Sequence, residues 1–284
     1  MRLSVALRLG RVSNLPTVWT NVVAAVALAG GDPPPLELAG LAGAMSLFYV
    51  GGMYLNDAFD RDWDRRHRPE RPIPRQETSA AAVFGLGFLM LALGLAAVAA
   101  LGRGASPAIL SALALGACVV LYDAFHKQNP LSPLVMGLCR AGVYTTSALV
   151  VAPALDRAVL LGAGALVAYL IGLTYVARQE SLSEVKHLWP LALLAAPVLY
   201  AAPRALGDGA TAFFAVGLVG WVTYALGFLR QGRRNIPRAV VSLIAGISLL
   251  DALLICQHGR PALALAAAAG FLATLALQRF IPGT

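Results

Sequence analysis

The sequence predicts an all-α fold: a polytopic membrane bundle of nine to ten transmembrane helices. Three observations predict it. The 284 residues are 58% hydrophobic and 13% charged, where an average soluble domain is about 45–50% apolar and about 25% charged. Mean hydropathy is +0.72. Apolar stretches of roughly 17–23 residues recur from end to end, each long enough to cross a bilayer as helix.

Ten spans follow in order, separated by glycine, proline and charge. The first, 14–30, follows a basic N-terminal stretch and stops at "GGDPPP". The second, 36–57, runs into an acidic segment. The third, 79–101, stops at "GRGASP"; the fourth, 107–124, at "HKQNP"; the fifth, 130–153, at "PALDR". The sixth, 158–178, runs into a second acidic segment. The seventh, 187–203, stops at "PRALGDG"; the eighth, 209–230, at "RQGRRNIPR"; the ninth, 237–257, at "QHGRP"; the tenth is 261–279. The short seventh and the ninth are the weakest. Losing one gives nine spans and moves the C-terminus outside.

With the N-terminus in the cytoplasm, 17 Lys and Arg fall on that side. Only Arg103, Arg157, Arg204 and Arg260 fall on the other, and Arg140 lies inside a span. This asymmetry is the positive-inside signal and fixes the orientation. The net charge of +8 is therefore a topology signal and not a nucleic-acid footprint. The expected setting is a bacterial inner membrane, with residues 1–284 forming one integral-membrane domain. Cys118, Cys139 and Cys256 lie in apolar stretches without ligand spacing and read as small core residues. The four histidines are scattered and are given no catalytic role.

The stretch "YLNDAFDRDWDRRHRPERPIPR", residues 54–75, breaks the apolar pattern. Asn56, Asp60 and Asp64 are spaced i, i+4, i+8, and Asp57 joins them at i, i+3, i+7, so motif 56–64 puts its donors on one helix face. Like charges at this spacing repel unless a cation lies among them. Few hard oxygen donors beside substrate phosphates are how Mg²⁺ is usually held. The plainer alternative is a solvated helix end whose acids pair with nearby arginines. The stripe begins inside an apolar span, where carboxylates are costly and functional, and this favours a metal site. Asp62 points off the stripe and reads as solvated.

The second acidic end, motif 180–184 in "TYVARQESLSEVKHLWP", carries Glu180 and Glu184 at i, i+4. Alone the pair could equally serve Lys186 or cap a helix. Its position at the same membrane level as the first cluster gives it weight. Between the two ends, Tyr122 and Lys127 close the fourth span. Arg140 lies one to two turns inside the fifth, where an arginine faces the bundle interior and pairs with something anionic. Asp251, deep in the ninth span, is its possible partner or a second polar site.

"NDAFDRDWD" matches the NDxxDxxxD signature of the UbiA superfamily of intramembrane prenyltransferases. "RRHRPERPIP" resembles the basic, proline-containing segment that follows it there. "LYDAFHK" before "NPLSPLVMGLCRA" resembles the family's Tyr-and-Lys loop leading into the fifth helix, and "RLGRVSNLPTVWTN" resembles its N-terminal helix. "RVSNLPTVWTN" and "GLCRA" look most like the EboC-like branch. Two departures stand out: the family's second motif is commonly DxxxD where this chain has ExxxE, and the family usually has nine spans.

The resemblance implies a helical bundle around a central cavity, open to the cytoplasm and to lipid. It implies Mg²⁺-dependent transfer of a prenyl group from an isoprenoid diphosphate to an aromatic or alcohol acceptor. Asn56, Asp57, Asp60, Asp64, Glu180 and Glu184 would hold the metals. Arg68, Arg71 and Lys127 would bind diphosphate oxygens, with Tyr122 beside them. Arg140 and Asn14 would orient acceptor or diphosphate. The rivals are a cation-coupled transporter, whose site would sit near mid-bilayer, and a prenyltransferase-like membrane protein without catalysis. A CDP-alcohol phosphotransferase would need DGxxAR, and Ala58 and Phe59 after Asp57 break that pattern.

Overall fold

The apolar stretches fold as helices whose ends fall close to the glycine, proline and charge breaks. The computed structural model describes residues 1–127, 129–178, 189–229 and 235–283. In chain order the helices are α1 (Leu3–Leu9), α2 (Leu15–Leu28), α3 (Pro35–Phe59), α4 (Arg61–His67), α5 (Ala80–Leu101) and α6 (Ser106–Phe125). They continue as α7 (Ser132–Val151), α8 (Arg157–Arg178), α9 (Ala196–Ala205), α10 (Gly209–Gly227), α11 (Ile236–Gln257) and α12 (Pro261–Leu277). A 3₁₀ turn, Val12–Asn14, leads into α2, and a second, Trp189–Ala195, leads into α9.

Seven helices are long and apolar enough to cross a membrane: α3, α5, α6, α7, α8, α10 and α11. Val12–Leu28 and Pro261–Leu277 are shorter apolar helices. The protein is a multi-pass integral membrane protein. The expected seventh span is the element that differs. Its described part, from Trp189, is a 3₁₀ helix followed by a ten-residue α-helix. Pro190 and Pro197 account for the break: each lacks the backbone N–H that a continuous helix would donate to its preceding turn, so the α-helix starts anew with Pro197 in its first turn and then runs on through Pro203.

Sequential helices pack side by side: α3 on α5, α6 on α7, α7 on α8, α10 on α11 and α11 on α12. α2 closes the ring, touching α3, α7, α8, α11 and α12. α11 is the most enclosed, with 83% of its apolar window buried, while α5 has 22%. The outer faces of α5, α6, α10 and α12 expose Phe88, Leu93, Leu110, Phe213, Val216 and Leu272. This is a lipid-facing perimeter, because the surrounding hydrocarbon is as apolar as these side chains. Small residues set the inner spacing. A Cβ on Gly51 of α3 would lie 2.9 Å from the Gly87 carbonyl oxygen of α5, so glycine is what permits that approach.

At its C-terminal end, α3 passes almost unbroken into α4. The Asp60 amide donates to the Asn56 carbonyl at 3.0 Å and the Asp64 amide to the Asp60 carbonyl at 2.8 Å. The i→i−4 pattern therefore continues through the junction, and the stripe expected from the sequence survives it.

Candidate active site

A cavity of about 770 Å³ opens between these helices. Its lower wall is apolar, with Val18, Phe48, Leu115, Val143 and Ile247. Its mouth is charged. Asn56, Asp60 and Asp64 line it, as do Arg68, Arg71, Tyr122 and Lys127. Asp57 is 6% exposed and sits behind Arg11 and Arg71 instead of on the wall. Asp62 is solvated, as its position off the stripe requires.

Each stripe carboxylate faces a cation. Arg71 Nη1 donates to Asp57 Oδ1 at 2.7 Å and to Asp64 Oδ2 at 3.2 Å. Arg11 Nη2 donates to Asp57 Oδ1 at 3.3 Å and to Asn56 Oδ1 at 3.4 Å. Lys127 Nζ lies 2.8 Å from Asp60 Oδ1, and His126 Nε2 lies 3.5 Å from Asp60 Oδ2. Lys127 also rests over the Trp63 ring, 4.4 Å from its centroid, and Arg68 lies 5.9 Å from the same centroid. Burial works against ionising Asp60, but the His126 and Lys127 hydrogen bonds outweigh it and hold the carboxyl below its usual range. Burial also opposes charge on His126, yet the Asp60 bond raises it. Asp64 is raised by burial, which Arg71 only partly offsets.

Among the described residues, no three His, Cys, Asp or Glu form a cluster that could hold a metal ion; the stripe carboxylates face cations instead. The second motif, Glu180 and Glu184, lies outside the described residues. The helix that leads to it does reach the site, since Thr174, Ala177 and Arg178 of α8 line the cavity.

Deeper in the bundle a second polar cluster surrounds Arg140, which also lines the cavity. Arg140 Nη1 donates to Asn21 Oδ1 at 2.8 Å and Nη2 to Thr17 Oγ1 at 3.1 Å. Its guanidinium lies over Tyr49, 5.4 Å from the ring centroid. Asp251, fully buried, accepts from Thr20 Oγ1 at 2.6 Å, from Asn21 Nδ2 at 2.8 Å and from Tyr144. Asn21 thus bridges the two charges, and Arg140 and Asp251 do not pair directly. Asn14 closes the near wall. Its Nδ2 donates to the Gly283 carbonyl at 2.8 Å and to Tyr49 Oη at 3.3 Å, and its Oδ1 accepts from Gln278 Nε2 at 3.0 Å.

The UbiA prenyltransferase family pattern matches residues 17–238. The chain belongs to the UbiA prenyltransferase family. A curated relative, the digeranylgeranylglyceryl phosphate synthase of Ignicoccus hospitalis, is 32% identical over 121 residues. That stretch is 43% of this chain and 38% of the relative, so the chain spans about two-fifths of that relative's length. A solved structure bearing on digeranylgeranylglyceryl phosphate synthase in membranes superposes with a TM-score of 0.63 at 16% identity. It covers 94% of this chain and 99% of its own. A UbiA homolog from Archaeoglobus fulgidus, bound to DMAPP and Mg²⁺, gives 0.61 at 16% identity, covering 92% and 99%. At these identities the likeness establishes the fold.

In this UbiA bundle, four side chains take part that the spacing rules did not single out. Arg11 reaches Asp57 because its backbone is left-handed, with φ of 41°, a conformation that is uncommon outside glycine. His126 joins Lys127 on Asp60. Asp123 lies on the cavity wall, bonded to Asn56 at 3.2 Å. Its sequence signal, an acid in the last turns of an apolar span, is the one that marks Asp57. Cys139 also lines the cavity, whereas Cys256 is a buried core residue; all three cysteines are free.

Proposed function

We propose that this protein transfers a prenyl group from an isoprenoid diphosphate to an aromatic or alcohol acceptor, using Mg²⁺ held by both acidic motifs. The observation that carries the reading is the charged mouth above an apolar cavity. A diphosphate needs cations at the membrane surface, and its hydrocarbon tail needs a greasy groove. The donor set fits Mg²⁺: Asn56, Asp57, Asp60 and Asp64 are all hard oxygen donors, and Glu180 and Glu184 add two more. When bound, the metal would neutralise charge growing on the leaving diphosphate.

The chain's own groups supply the rest. Arg71 and Lys127 leave Asp57, Asp64 and Asp60 to grip diphosphate oxygens, Arg71 as a fork and Lys127 as a point charge. Arg68 joins them from the same rim, and Tyr122 packs beside His126. The carbon–oxygen bond to diphosphate breaks, a bond to the acceptor forms, and the acceptor gives up a proton. The apolar wall keeps water from intercepting the allylic cation. Arg140 and Asn14 orient the acceptor.

Within the family we assign the chain to the EboC-like branch. The two segments that suggest it, "RVSNLPTVWTN" and "GLCRA", are the ones that meet in the Thr17–Asn21–Arg140 contacts. We further assign ten crossings in one domain of residues 1–284, with the mouth facing the cytoplasm of a bacterial inner membrane. Trp189–Ala205 reaches about 29 Å because 3₁₀ turns rise about 2.0 Å per residue, close to the hydrocarbon thickness of about 30 Å. α12 returns beside α2: Arg260 bonds the Gly31 carbonyl at one end and Gln278 bonds Asn14 at the other.

The test is transfer of labelled isoprenoid diphosphate into lipid-extractable product by membranes containing the protein. Product should require Mg²⁺ and fall about a hundredfold or more in Asp60→Ala and in the Glu180→Gln/Glu184→Gln double variant. Full turnover in EDTA would sink the metal reading. Wild-type turnover in the double variant would remove the second motif from the mechanism.

A further inference from the structure

Asp123, near the C-terminal end of α6, is 3% exposed and lies on the cavity wall. Its Oδ1 accepts from Asn56 Nδ2 at 3.2 Å. Its Oδ2 is buried and has no hydrogen-bond partner among the described residues. A buried carboxylate oxygen without a partner is costly, and an orphan of this kind calls for a water, an ion or a catalytic role. The nearby cations are engaged elsewhere. Arg11 and Arg71 hold Asp57, and His126 and Lys127 hold Asp60.

Asn56 explains the orientation. Its amide nitrogen fixes one oxygen of Asp123, which leaves the other with no donor among the described residues. Among the described residues its own Oδ1 has only the long 3.4 Å contact from Arg11. The α3–α4 stripe offers oxygens from one helix face. Asp123 brings a carboxylate to the cavity wall from a second helix, α6, and among the described residues it has no ion pair to break first.

We propose that Asp123 is a further metal ligand, which turns the first acidic motif from a one-helix stripe into a two-helix site for a hard divalent cation. Asn56 is then both a neighbouring oxygen donor and the residue that aims Asp123. This rests on the reading of motif 56–64 as a metal site.

The test is Mn²⁺ binding to the purified, substrate-free protein, followed by electron paramagnetic resonance, with the Mn²⁺-induced rise in melting temperature as a second readout. Asp123→Asn keeps the size and an acceptor for Asn56. It should weaken Mn²⁺ binding about tenfold or more and shrink the thermal shift. Asp123→Cys should raise the preference for Cd²⁺ over Mn²⁺ relative to wild type, because a thiolate is a softer ligand. A merely structural aspartate would not produce that switch. Wild-type Mn²⁺ binding in Asp123→Asn, with binding lost in Asp60→Ala, would overturn the inference and leave the metal reading intact. Wild-type binding in Asp60→Ala as well would remove both.

Discussion

At the cavity mouth, Asp57, Asp60 and Asp64 are each held by a cation: Arg11, Arg71, His126 or Lys127. Deeper in the bundle, Asp251 is held by Thr20, Asn21 and Tyr144, all neutral donors, and a single amide separates it from Arg140. Seven residues, or about 10 Å of helix rise, separate Asn14 at the mouth from Asn21 in the deep cluster. Both regions place carboxylates in a membrane bundle, and they solve the cost differently. The mouth uses ion pairs, which under the proposed function would be exchanged: carboxylates to metal, guanidinium and ammonium to diphosphate. The deep cluster uses fixed dipoles on α2, α7 and α11, and holds one positive and one negative charge apart. The first arrangement suits a site that takes up a charged substrate. The second suits a scaffold that presents one guanidinium face to the cavity.

The sharpest way to break this comparison is Asp251→Ala. It leaves Arg140 without its counter-charge and strands the Thr20, Asn21 and Tyr144 donors. Stripping one member from a buried charge network costs roughly 3–5 kcal/mol, so the melting temperature in detergent should fall steeply. Asp60→Ala, at the wetter mouth, should lower it far less. Equal losses would mean the two clusters do the same structural work.

A smaller effect is expected for Arg140→Gln, which keeps hydrogen-bonding capacity toward Asn21 and Thr17 but removes the charge. Product formation should fall about tenfold, about the weight of one charge-assisted hydrogen bond, while Mg²⁺-dependent binding of isoprenoid diphosphate stays as in wild type. If diphosphate binding falls instead, Arg140 belongs functionally to the mouth.

Most of the helices were legible because glycine, proline and charge bound the apolar runs, and these fix where a helix can start and stop. The seventh span was not, because Pro190 and Pro197 break its described part into a 3₁₀ stretch and a short α-helix, which hydropathy alone does not register. The acidic stripe was legible because helical spacing persists through the Asp60 junction. The cations that hold it were only partly so. Arg71 and Lys127 lie in or beside the motif. Arg11 comes from 46 residues away in sequence, delivered by a left-handed backbone that no pattern announces. Arg140 stood out as a charge inside a span. Its contacts with Thr17 and Asn21, 123 and 119 residues distant, arise only when α2 packs on α7. Asp123 carried the same sequence signal as Asp57, and it gains meaning from one atom, the partnerless Oδ2.

If the mouth is an exchange site, metal must take the carboxylates before the basic groups can take diphosphate. Equilibrium binding of an isoprenoid diphosphate to the purified protein, measured with Mg²⁺ and in EDTA, tests it directly. Binding should be tight with Mg²⁺ and weak without, because in EDTA Arg71 and Lys127 stay paired with Asp57, Asp64 and Asp60. Equal affinity in the two conditions would contradict it.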